Sequence, residues 1–411
     1  MKRSVKLITT VLMALVLATN ALAYEGEDTE ISAGDGSEAI AAHSGLKEAG
    51  SQTYGGMGNG DMAEIINRQY SSLELDNLRD SLPESGAEIM GELEISSHMD
   101  MDTGLGKIYE KGCREIGGIL KGALRSAVII LIIAIVCSVS ESFFESGAFG
   151  EAPSYISFAG VLAISIVAVG DVNAFIGYGY TTLDELNGIS KVLLPTLSAA
   201  AAAGGAVTSA AVKYAATALF MDVLITLATG LLMPVIYAYI ASSIAEAAIG
   251  GEGLSGASGF LKWLATTILT LLVLSFVVYI SVTGIVSSTA DAATIRVAKT
   301  ALSTVFPVVG SIISDAASSV LAGASVLKNA IGVFGMLAVI AICLLPFLNL
   351  GAHYILYKAA SKLSATISGA RISKLVSSIG TAFGLVMSLT GACALMLFFS
   401  IISMLKVVSA Q

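Results

Sequence analysis

The chain has 411 residues, 55% of them hydrophobic and 13% charged, with a mean hydropathy of +0.82; a soluble domain carries about 25% charged residues, so a bilayer is the implied solvent. The net charge of −9 excludes a nucleic-acid binder, which needs clustered Lys and Arg to displace counterions. Cys113, Cys137, Cys343 and Cys393 form no C-x-x-C pair and three of them lie in apolar runs, so neither a disulfide framework nor a metal site is expected.

Lys2, Arg3 and Lys6 precede an apolar stretch at 7–18, too short to cross the ~30 Å of hydrocarbon. Ala21-Leu22-Ala23 then reads as a cleavage site, so residues 1–23 are an expected signal peptide cut between Ala23 and Tyr24. Residues 24–61 are rich in Gly, Ser and acids and bury too little apolar area to offset ordering entropy; they read as a flexible arm. Residues 62–118 carry Ile65, Ile66, Leu73, Leu75 and Leu78 in short amphipathic helices broken near Pro83 and Gly86. A last helix is predicted from near Thr103 through Lys107, Lys111, Arg114, Lys121 and Arg125 into the membrane, its mixed face available to headgroups, a partner helix or solvent. Residues 24–118 are expected to be extracytoplasmic.

Residues 119–404 form the expected transmembrane domain of an all-α, polytopic helical bundle, followed by a tail at 405–411. Clear spans are 125–140, 155–178, 214–244, 264–288, 330–357 and 380–404. Stretches 190–210 and 300–328 are long enough to cross, yet rich in small residues and interrupted by Pro195 and Pro307. Pro195 precedes Pro234 by 39 residues, Pro307 precedes Pro346 by 39, and the two pairs are offset by 112. Leu231-Leu232-Met233-Pro234 matches Cys343-Leu344-Leu345-Pro346 at the same offset. These landmarks predict an internal duplication, with units at about 155–263 and 264–375 and a final span at 380–404.

A proline removes a backbone donor and clashes one turn back, and carbonyls freed in hydrocarbon need protein or water. Pro195, Pro234, Pro307 and Pro346, with Gly310 and the charged Asp222, Arg296, Lys299, Asp315 and Lys328, are therefore the candidate path and broken-helix residues, at the interface of the two units. Asp171 is a further charge beside an apolar run. The plainer reading of such charges is a helix-end residue reaching the headgroups, and it weighs most for Lys328.

Lys358, Lys362, Arg371 and Lys374 make the strongest basic loop, expected on the cytoplasmic side. Eight full crossings put that loop inside with Lys213, Arg296 and Lys299, and the acidic stretches near Asp184 and Glu246 outside; six crossings with re-entrant loops leave Arg296 and Lys299 outside. The charge pattern favours eight, and inverted rather than parallel units. It conflicts with the basic cluster at 107–125, which falls outside; a partner subunit or a membrane insertase would override the rule there.

Enzyme chemistry finds little support. Gly256-Ala257-Ser258-Gly259 fits the G-x-S-G of intramembrane serine proteases, with His353 as the available base, but it sits in a Gly-rich stretch that reads as an interhelical loop. Gly170-Asp171 lacks the preceding glycine of aspartyl intramembrane proteases, and neither H-E-x-x-H nor a P-loop occurs. No catalytic residue, cofactor or metal is expected.

Arg296-x-x-Lys299, Phe306-Pro307-Val308-Val309-Gly310, Ser314-Asp315, the run Ser325-Val326-Leu327-Lys328-Asn329-Ala330-Ile331-Gly332 and Leu345-Pro346 resemble the stage III sporulation protein AE family. The resemblance covers most of residues 62–404. It implies a role in endospore formation, in the mother-cell membrane around the forespore, as a non-enzymatic subunit of a multiprotein channel or secretion-like complex. The partners it implies are other subunits of that complex, met through the exported segment and the membrane helices. The alternative left by the repeat is a stand-alone secondary transporter with its site between the two units.

Overall fold

The computed structural model describes residue 78 and residues 80–90, 101–145, 152–250, 252–286 and 310–405. Ala23, Tyr24, Arg296, Lys299 and Pro307, and the arm at 24–61, lie outside the described residues. Among the described residues every element is a helix. In chain order they are α1 (Glu84–Met90), α2 (Met101–Glu145), α3 (Ala152–Ala203), α4 (Val207–Leu227), a π-helical turn (Ala228–Leu232), α5 (Met233–Ile249), α6 (Glu252–Val286), α7 (Gly310–Ile367) and α8 (Ala370–Leu405). The π turn joins α4 to α5 in one continuous rod.

Helix is the form in which an apolar segment satisfies its own backbone without water. The hydroxyls along these rods follow the same economy. Thr182, Thr196, Thr266, Thr390 and Ser400 each donate to the carbonyl four residues back. The rods end where a glycine allows it: Gly205 (φ 92) closes the α3–α4 turn and Gly250 (φ 77) follows α5.

Six of the rods are long and apolar enough to cross a membrane: Met101–Phe144, Tyr155–Ala203, Val207–Ile249, Gly253–Tyr279, Gly323–Ile367 and Ala370–Leu405. This corrects the preference for eight crossings. Residues 190–203 are the end of α3 and residues 310–328 the start of α7, not separate spans. The stretch around Asp184 is not a loop; α3 runs through it unbroken. The side of each charge confirms the point. Lys374 forms an ion pair with Glu246 at one end of α8, while Lys213 donates to the Ser403 carbonyl (3.0 Å) at the other. Eight crossings would have put Lys374 with Lys213 and away from Glu246.

The core is built around α8, which packs on α7, α3, α5, α4 and α6. Every residue from 379 to 398 is buried, a stretch about 30 Å long at 1.5 Å per residue, which matches the hydrocarbon thickness. A helix apolar all round belongs in the middle of a bundle. Small residues set the approach of its neighbours. Gly332 lies against Leu405, Gly384 against Tyr354 and Gly380 against Tyr357, so α7 and α8 run antiparallel. Gly104 meets Leu337 and Gly112 meets Leu344, while Ser138 donates to the Ile367 carbonyl; α2 therefore runs parallel to α7. Gly335 receives Leu193 of α3, which runs the opposite way. The short α1 is pinned to the bundle, with Gly86 against Ile342 and Ser85 Oγ donating to Glu185 (2.8 Å).

Candidate functional site

The polar middle of α3 presents Tyr180, Thr181, Asp184 and Asn187 at spacings that share one helix face. The rod opposite presents Asp222, Ile225, Thr226 and Thr229 in the same way. The two stripes line a cavity of about 560 Å3. It begins one residue beyond Gly179, where Met233 and Val386 pack, so it lies beside the middle of the buried run of α8. Asp184, Asp222, Tyr180, Thr181 and Thr226 are exposed, so the cavity opens sideways from the bundle.

The backbone at this wall is irregular. In a π turn an extra residue loosens the hydrogen-bond ladder, and such turns mark functional sites often. Here the π turn Ala228–Leu232 runs straight into Pro234, which has no N–H to give one turn back. Tyr180 spans the cavity edge and donates its hydroxyl to the Thr229 carbonyl (3.3 Å), while Thr229 donates to the Ile225 carbonyl (2.8 Å). The arrangement supplies carboxylates, hydroxyls and backbone carbonyls. These are oxygen ligands suited to water or to a cationic group.

The structure separates the other sequence candidates. Pro195, half-buried, and Pro346, buried, both lie inside unbroken helices. The expectation of broken segments at these positions is therefore corrected: of the candidate prolines among the described residues, only Pro234 adjoins a departure from α-helix. Gly310 is the first residue of α7, and Asp315 lies in its second turn. Lys328, 2% exposed, does not reach headgroups; it donates to the Leu405 carbonyl (2.9 Å), beside the Lys213 bond to Ser403. Two lysines from two helices thus meet the C-terminal carbonyls of α8, which have no intrahelical donors and carry the negative end of its dipole.

Asp171 accepts a hydrogen bond from the fully buried Tyr357 (2.5 Å). Phe175, His353 and Phe383 pack around this pair, with ring centroids of 4.5 Å for Phe175–His353 and 4.2 Å for Phe175–Phe383. Gly256 to Gly259 lie inside α6 rather than in a loop. Ser258 donates to Glu246 (2.5 Å) and His353 Nδ1 pairs with the Asn349 carbonyl (2.9 Å), so neither group is set up toward the other.

Sequence reasoning singled out Asp222 at this wall, and Pro234 just beyond it, but missed Tyr180, Thr181, Asn187, Thr226 and Thr229. Two facing stripes of polar residues at helical spacing were the available signal. A break between the span at 155–178 and the stretch at 190–210 leaves the residues around Asp184 as a loop, which hides the first stripe.

The profile of the stage III sporulation protein AE family matches residues 88–408, which include both walls of the cavity. The chain belongs to the stage III sporulation protein AE family. Stage III sporulation protein AE of Bacillus subtilis (strain 168) is 22% identical over 278 residues, covering 68% of this chain and 69% of that protein. No solved structure matches. Membership of the AE family makes this a sporulation protein, and its six apolar rods make it a multi-pass membrane protein. In this AE-family member the matched region starts within α1 and ends just beyond α8.

Proposed function

We propose that this chain is a non-enzymatic membrane subunit of a channel or secretion-like complex joining mother cell and forespore during endospore formation. The observation that carries the reading is the sideways-open cavity with Asp184 and Asp222 midway along apolar rods. A carboxylate left facing acyl chains costs about 3 kcal/mol or more. A neighbouring subunit or a water-filled path removes that cost, and a single chain in lipid does not. The polar wall therefore suits an assembly in which this chain lines or seals a conduit with other subunits.

In this reading residues 24–118 are extracytoplasmic and the ends bearing Arg371 and Lys374 are cytoplasmic. The rods α4–α5 and α7 then run in one direction, and the two units of the duplication are parallel. A membrane insertase is a natural requirement for the basic stretch of α2, which opposes the positive-inside pattern.

The irregular π turn beside the cavity favours one competing reading, a stand-alone secondary transporter. Affinity purification from sporulating cells separates the two. Co-purification of other sporulation-specific membrane proteins, lost in a D184N/D222N variant that still reaches the membrane, is the expected result. A chain purified alone, with unimpaired spore yield in that variant, would sink the proposal.

A further inference from the structure

A second cavity forms where the α5–α6 and α7–α8 hairpins meet, at the end of α8 opposite Lys213 and Lys328. It holds about 370 Å3 and is lined by Ser243, Glu246, Ser255, Arg371, Lys374 and Ser378, with Ala247 and Leu375 as an apolar wall. The first turns of two long helices reach it, through Ser255 of α6 and Arg371 of α8. Helix starts carry N–H groups without intrahelical acceptors and the positive end of the dipole.

Glu246, the carboxylate among the described lining residues, is already engaged. Glu246 forms an ion pair with Lys374 and accepts from Ser258 (2.5 Å), and Lys374 also donates to Ser255 Oγ (3.1 Å). Arg371 forms no ion pair among the described residues.

Depth identifies the anion suited to Arg371. Trp263 is the only tryptophan in the chain. It is exposed on α6, two turns beyond Ser255, with its ring 5.9 Å from that of Phe260. Exposed tryptophan of this kind marks the lipid–water boundary. Lys358, with Lys262 and Lys362 close by, adds positive charge at the same end. Basic pockets between membrane helices at this depth suit anionic headgroups.

We propose that this cavity binds the phosphate of an anionic phospholipid, held by Arg371 and the first-turn amides of α6 and α8. The apolar wall of Ala247 and Leu375 takes the glycerol end, which free phosphate lacks. The proposal rests on the membrane reading and not on the channel.

The test uses the full chain in nanodiscs of phosphatidylcholine, with or without phosphatidylglycerol, reading lipid retention by native mass spectrometry and the Tm. Phosphatidylglycerol should be retained preferentially and raise the Tm. R371Q should cut retention about tenfold, as loss of one charge-assisted contact implies, with its Tm in phosphatidylcholine unchanged and R371K largely restored. E246Q should act the other way, retaining more phosphatidylglycerol because the competing carboxylate is gone. Equal retention of the two lipids by the unaltered chain would overturn the proposal, as would R371Q retaining phosphatidylglycerol fully. So would inorganic phosphate reproducing the whole Tm rise in phosphatidylcholine alone.

Discussion

Single residues here are decided by where their polar atoms find partners. Lys328 shows the logic: sequence alone suggests a side chain reaching toward headgroups, yet it is buried and caps the Leu405 carbonyl. K328M should lower stability by about 1–3 kcal/mol, since it leaves that carbonyl unpaired, and thermal melting of the purified chain checks it. Asp171 likewise has its answer in Tyr357, a partner 186 positions away. Asp184 and Asp222 differ from both, because their surroundings are open. D184N and D222N should each leave membrane abundance and Tm nearly unchanged while lowering spore yield, and the double variant should lower it further. Unchanged spore yield in the double variant would remove the cavity from any working role.

At the scale of elements, close packing against small residues is what aligns the rods. Gly332 and Gly335 of α7 leave no room for a side chain beside Leu405 and Leu193. G332V and G335V should each destabilise by about 1–3 kcal/mol through overpacking, visible as a drop in Tm in detergent or nanodisc. By contrast P195A should be neutral or stabilising. Pro195 lies in a helix that runs on through it, and alanine restores a donor and costs no propensity. A fall in spore yield for P195A with normal stability would instead reveal a functional bend. The helix boundaries were partly legible in advance. The start of α2 near Thr103 and the apolar stretches of α4, α5 and α8 follow from run length and periodicity. The continuity of α3 through 181–191 did not, because a polar segment inside apolar sequence reads as a loop unless a cavity is there to receive it.

For the whole molecule, six rods place both ends of the described region, α2 and the end of α8, on one side. Cysteine labelling tests this. Cys113 is exposed, whereas Cys137, Cys343 and Cys393 are buried. In protoplasts, a membrane-impermeant maleimide should label a chain whose only cysteine is Cys113, and should leave single-cysteine chains retaining Cys343 or Cys393 unmodified. K362C should react only after permeabilisation. Labelling of K362C in intact protoplasts would invert the proposed orientation.

The amino-acid sequence by itself determined that this is a helical membrane protein of the AE family. Those properties depend on the length of apolar runs, on hydrogen bonds closed within each helix, and on motifs local in the chain. Tertiary structure alone decided that six unbroken rods among the described residues are long enough to cross, that Glu246 and Lys374 share an end, and that two polar stripes face each other across a cavity. The reason is physical. A polar side chain in an apolar helix is equally compatible with a loop, a headgroup or a buried partner until another helix, often more than a hundred residues away, supplies or withholds the opposing atom.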